Sequence, residues 1–96
     1  MAVRHNRIIE AVRERDGDAC IICGKWAQAV HHICSRAQLP GPRLDAVLWD
    51  ERNVCLLCVE HHDDNRHTVH GIRECLAVMS EKYSYSYEDM PWRWYR

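Results

Sequence analysis

Asn53-Val54-Cys55-Leu56-Leu57-Cys58-Val59-Glu60-His61-His62 is the stretch whose reading decides the fold. Its first half is a short apolar run, which predicts a buried strand over 54–57. Its second half places Cys58-x-x-His61 where the strand ends and a helix over 59–67 is expected to start. Two earlier segments answer it. Cys20-Ile21-Ile22-Cys23 is another ligand pair, and His31-His32 lies in the strand-like stretch 27–33. Val30 and Ile33 cannot both face one side of a regular strand, so a distortion is expected near the histidine pair.

The ligand pairs have zinc spacing. Gly24 permits a tight knuckle turn after Cys20 and Cys23, with backbone amides directed at the thiolates. Two pairs compete to complete the site, because Cys55-x-x-Cys58 is itself a candidate beside Cys58-x-x-His61. Cys55 sits inside the apolar run and would have to leave the strand to bind. The chosen set is therefore Cys20, Cys23, Cys58 and His61, a closed structural Zn²⁺ site that stabilises folding and does no chemistry. Cys34, Cys55 and Cys75 are then spare thiols, expected to be buried as small apolar groups.

The bulk properties fit this reading. Ninety-six residues make one small domain, a size at which metals or disulfides often supplement the core. Arg4, His5, Asn6 and Arg7 interrupt the start, so no signal peptide is recognisable, and no apolar run is long enough to span a membrane. A cytoplasmic, reducing compartment is the expectation, and it disfavours a disulfide-stapled secreted domain. The net charge of −1 argues against a strongly basic nucleic-acid binder. Against that, eleven of the thirteen basic residues are arginine, the better fork for phosphate. Charge alone leaves a nucleic-acid substrate open.

Outside the centre, residues 3–15 are predicted helical, with Ile8, Ile9 and Val12 as the apolar stripe and Asp16-Gly17-Asp18 as the stop. Residues 34–50 form a long connection that Leu39, Leu44, Val47, Leu48 and Trp49 can pin down. Ile72, Cys75, Leu76 and Met79 fall at helical spacing, predicting an amphipathic helix over 71–82. The tail from Tyr83 to Arg96 alternates aromatic and polar residues. Its rings could stack on bases, but packing back on the core is the preferred expectation. No internal repeat or second domain is visible.

The order C-x2-C, seven residues, H-H, then N-x4-C-x2-H-H resembles the HNH endonuclease family, the ββα-metal nucleases, and within it the small zinc-containing proteins of phages and prophages. The resemblance spans about residues 20–67. It implies a small α+β fold: a ββα-metal core with a treble-clef-like zinc knuckle, flanked by N- and C-terminal helices, the whole chain forming one nuclease domain. By the same resemblance His31 would be a ligand of a catalytic metal and His32 the general base. Asn53 would tie the loop after the second strand to the histidine strand, and His62 would be the metal ligand on the helix.

Two departures from the family pattern stand out. Many members have a cysteine where this chain has His61. Many also place a further ligand four residues beyond the helical histidine, where this chain has Arg66. His67, about 140° further round an ideal helix than His62, is then the candidate third ligand, with Asn65 and solvent the other candidates. Arg36 and Arg66 are candidate holders of the scissile phosphate.

The implied function is metal-dependent hydrolysis of DNA phosphodiester bonds, one strand per event, by a monomer or weak dimer. DNA is the expected partner, with phage packaging proteins a further one by the family likeness. Mn²⁺, Mg²⁺, Ni²⁺ or Zn²⁺ could serve, with histidine donors least suited to Mg²⁺. The competing reading is a non-catalytic zinc module that binds nucleic acid or a protein partner, with the histidines structural.

Overall fold

A computed structural model describes residues 2–27, 29–34, 47–64 and 68–88. Helix α1 (Ala2–Asp16) precedes strand β1 (Ala29–His32); a 3₁₀ turn (Glu51–Asn53) leads into strand β2 (Val54–Leu57), and helices α2 (Val59–Asp64) and α3 (Val69–Tyr83) follow. The fold is α+β, with a two-stranded antiparallel sheet between the helices.

Strand β2 is the centre. All four of its residues are fully buried, which explains why its sequence is a continuous apolar run rather than an alternating one. One edge pairs with β1 in the register Ala29–Leu57, Val30–Leu56, His31–Cys55 and His32–Val54. This pairing is regular, which corrects the expected distortion. The strand simply ends at His32. Ile33 lies beyond it, its N–H donated to the Asn53 carbonyl at 2.8 Å, so strand alternation no longer dictates where its side chain goes.

The other edge of β2 is satisfied mainly by side chains. The Leu56 N–H donates to Asp16 Oδ2 at 3.0 Å, Arg15 donates to the Val54 carbonyl at 2.7 Å, and the Ile21 N–H donates to the Leu56 carbonyl at 3.1 Å. Arg15 also grips Asp16 through both carboxylate oxygens, at 2.8 and 3.2 Å. These two residues end α1, which closes with the Asp18 N–H on the Arg13 carbonyl at 3.1 Å and Gly17 at φ +65°. That is a Schellman stop, in which glycine takes the left-handed position without a Cβ penalty.

The Asp16 carboxylate is buried, with Arg15, the Leu56 N–H and the Tyr83 hydroxyl as partners. Asp16→Ala would leave a guanidinium and a strand N–H without their acceptor. A loss of about 3–5 kcal/mol is expected in urea unfolding of the zinc-loaded protein, the range for breaking a buried pair. A loss below about 1 kcal/mol, the range of exposed pairs, would show that the edge is not held this way.

Helix α3 begins two residues earlier than expected, because Thr68 caps it by accepting the Gly71 N–H at 3.0 Å. Ile72, Cys75, Leu76 and Met79 form its buried stripe, and each fully buried Ile or Met side chain contributes about 1.5–3 kcal/mol. The segment after α3 packs back on the core. Tyr87 donates to the Arg52 carbonyl at 2.8 Å, Arg52 donates to the Ser86 carbonyl at 2.9 Å, and the Arg15 guanidinium lies 4.7 Å over the Tyr83 ring. Residues 89–96, which hold the rest of the aromatic tail, lie outside the described residues, as do 35–46 and 65–67. Among the described residues no helix is long and apolar enough to cross a membrane.

Candidate functional site

The cysteine pair at the start is held by a small hairpin. The Cys20 N–H donates to the Lys25 carbonyl at 2.7 Å, the Gly24 N–H donates to the Cys20 carbonyl at 2.9 Å, and Ala19 bridges to Trp26. Gly24 takes φ +78°, the left-handed conformation the turn requires. Cys58 stands just past β2, and His61 lies in the first turn of α2. The ligand atoms of Cys20, Cys23, Cys58 and His61 all lie within 4.8 Å of one another. Among the described residues this is the only group of three or more metal-binding side chains that meets in this way.

Two of the three short separations match the edges of a zinc tetrahedron, and the third is tighter. Cys23 and Cys58 sulfurs are 3.7 Å apart, Cys20 Sγ is 3.5 Å from His61 Nδ1, and Cys58 Sγ is 3.2 Å from the same nitrogen. A tetrahedral ion with Zn–S bonds of about 2.3 Å and Zn–N bonds of about 2.0 Å has edges of roughly 3.5–3.8 Å. At Cys20 electrostatics point the same way. Burial would raise the Cys20 thiol, but N–H groups of Cys58, Cys23 and Ile22 outweigh it and bring it down to about 7. The Cys58 sulfur, followed by that of Cys20, raises the His61 imidazole above its ordinary value. Directed amides favour the Cys20 thiolate that a structural zinc needs; at Cys23 the Lys25 amide lowers the thiol, but burial and the Cys20 and Cys58 sulfurs outweigh it and raise it.

Cys55 takes no part. It is fully buried, and hydrogen bonding to Cys75 together with burial pushes its thiol well up. Cys34 is likewise buried, and burial lifts it to about 12. Neither belongs to the group of side chains that meets at Cys20, Cys23, Cys58 and His61.

Two of the other histidines meet, one from strand β1 and one from helix α2. His31 is buried on β1, and its ring meets that of His62 from α2 at 5.3 Å between centroids, perpendicular. Two imidazoles on one ion at about 2.0–2.1 Å would bring their centroids to roughly 4.6–5.3 Å for bond angles of about 90–110°. The separation and the neutral nitrogen donors thus suit a borderline divalent ion such as Zn²⁺, Ni²⁺ or Co²⁺. His67, the candidate third ligand, lies outside the described residues, as do Arg36 and Arg66.

His32 faces the other way, as the neighbour of His31 on a strand must. Its Nδ1 lies 2.9 Å from the Leu48 carbonyl, and its ring crosses that of Trp49 at 4.6 Å and 90°. A carbonyl only accepts, so Nδ1 carries the proton, and in the neutral form of the ring the basic nitrogen is then Nε2. Asn53 is fully buried, and its amide works as a bracket. Oδ1 accepts the Cys34 N–H at 2.8 Å, and Nδ2 donates to the carbonyls of Cys34 and Leu48 at 3.1 and 3.2 Å.

The tie made by Asn53 differs from the expected one: from the 3₁₀ turn before β2 it joins the chain just past β1 to Leu48, not to the loop after the second strand. It still reaches the chain just past the histidine strand, because the register sets Val54 opposite His32. Sequence reasoning missed the Leu48 carbonyl altogether, since a backbone acceptor leaves no residue signature. Trp49 was visible only as an apolar anchor.

Compared with known proteins, the chain matches no family model, no curated protein and no solved structure. What the geometry supports is a small α+β unit, strand–strand–helix at its centre, with a Cys3His cluster built as a zinc site.

Proposed function

We propose that the protein is a metal-dependent DNA endonuclease that nicks one strand per event. The observation that carries this reading is the contact of His31 with His62 at 5.3 Å beside a His32 whose Nδ1 is tied to a backbone carbonyl. A general base needs an imidazole held in one orientation, and the Leu48 carbonyl supplies such a hold at Nδ1. The Cys3His cluster stabilises the frame and takes no part in the reaction.

His32 Nε2 accepts a proton from water as the water oxygen bonds to phosphorus. The bond from phosphorus to the 3′ oxygen breaks and that oxygen takes a proton from solvent, leaving 5′-phosphate and 3′-hydroxyl ends. A divalent ion held by His31 and His62, with His67 as the third candidate ligand, would supply charge neutralisation at the phosphate and at the leaving oxygen. An in-line displacement needs nucleophile and leaving group on opposite sides of phosphorus. Adjacent, oppositely facing strand positions suit that division between base and metal-binding imidazole. Asn53 holds both the Leu48 acceptor and the end of the histidine strand, and so orients His32. Arg36 and Arg66 are assigned to the phosphate.

The competing reading, a non-catalytic zinc module for nucleic acid or a protein partner, draws on the net charge of −1. Supercoiled plasmid separates the two. With Mn²⁺ the zinc-loaded wild type is expected to give open-circular product and His32→Ala none. Equal activity of the two proteins would remove the base, and no activity in either would leave the zinc module.

A further inference from the structure

The candidate base is held by more than its strand. The Leu48 carbonyl holds one nitrogen of His32, and a hydrogen bond at one nitrogen leaves the tilt of the ring to its packing. The Trp49 ring, perpendicular at 4.6 Å, packs directly on it. Trp49 is itself anchored. It packs half-buried against the core beside buried Leu48, whose carbonyl also accepts from Asn53 at 3.2 Å. Backbone bonds from Asp50 to Val47 and from Asn53 to Asp50, at 3.2 and 2.8 Å, close the turn around it.

We propose that Trp49 is a positioning residue for His32, holding the imidazole on the Leu48 carbonyl so that Nε2 keeps one direction. This rests on the nuclease reading; Trp49 acts through His32 and not on the DNA.

Zinc-loaded wild type, Trp49→Ala, Trp49→Leu and Trp49→Phe are compared, with zinc content and circular dichroism as the check on folding. Nitrogen-15 spectra of the histidine rings are expected to show the Nδ1–H tautomer of His32 in wild type and Trp49→Phe. Trp49→Ala and Trp49→Leu are expected to give a mixture of tautomers, and Trp49→Leu keeps the volume filled should Trp49→Ala not fold. In plasmid nicking, kcat is expected to fall about tenfold without the ring, since small misplacements of a reacting group cost that much or more. KM for DNA stays unchanged, and Trp49→Phe restores kcat. An unchanged tautomer in Trp49→Leu overturns the positioning role, and a loss confined to KM replaces it with a DNA contact. The spectra contain neither DNA nor a second metal, so they decide Trp49 separately. Absent nicking by the wild type would overturn the nuclease reading alone.

Discussion

Chelating the zinc is expected to unfold the protein. The cluster joins a hairpin that follows α1 to the junction of β2 and α2, closing contacts between residues 41 positions apart at Cys20 and His61. Structural zinc in small modules contributes apparent binding energies of about 10–16 kcal/mol, whereas whole domains are stable by only about 5–15 kcal/mol. Among the described residues the core is the buried strand β2, the α3 stripe, Val12 of α1 and connecting residues such as Ile21, Ile33 and Leu48, a small core to hold the fold once the clamp is gone. Circular dichroism after chelation should lose most helical signal and recover it on adding Zn²⁺. Cys58→Ser should behave as the metal-free protein does, because its sulfur faces both Cys23 and His61. The ligands bind as thiolates and neutral imidazole, so acidification should release zinc and unfold the chain reversibly. A metal-free protein with undiminished helix content and a cooperative unfolding transition would show that the cluster is not structural.

His32→Ala is expected to remove nicking while leaving the fold in place. General base catalysis contributes about 10²–10⁴-fold, so the barrier should rise by about 2.7–5.4 kcal/mol, at 1.36 kcal/mol per tenfold. The structural cost is far smaller. His32 is half-exposed at the end of β1, where it bonds the Leu48 carbonyl and crosses the Trp49 ring; a hydrogen bond of this kind is worth about 1 kcal/mol. Activity and stability should therefore separate: a cleavage rate down at least a hundredfold, with zinc content and urea midpoint close to wild type. Asn53→Ala should not separate them, because it strips partners from the Cys34 N–H and two carbonyls in a fully buried place.

How much of this was legible in the residues depends on the kind of signal each part leaves. The β2 run, the α3 stripe and the Cys20–Cys23 knuckle follow from side-chain periodicity and ligand spacing, and the structure has them where the pattern put them. The decision for Cys58 and His61 over Cys55 and Cys58 rested on a ligand being unable to leave a strand. The buried Cys55 beside Cys75 carries that physical reason. Backbone-mediated features were not legible. The regular end of β1 depends on an Asn53 carbonyl, and the orientation of His32 on a Leu48 carbonyl, and neither writes itself into residue type. The side-chain edge of β2 was hidden too, since Arg15 and Asp16 read only as a charged helix end until the strand they cover is in place.

Titration of the zinc-loaded protein with Ni²⁺ or Co²⁺, followed by calorimetry and visible absorption, tests the central claim most directly. Wild type is expected to bind one additional ion through imidazole nitrogens. His62→Ala and His31→Ala should each weaken that binding by more than about tenfold, since losing a ligand costs at least as much as losing its orienting partner. Their Cys3His zinc should be retained. No additional ion in the wild type, or unaltered binding in both variants, would contradict a shared metal site at His31 and His62.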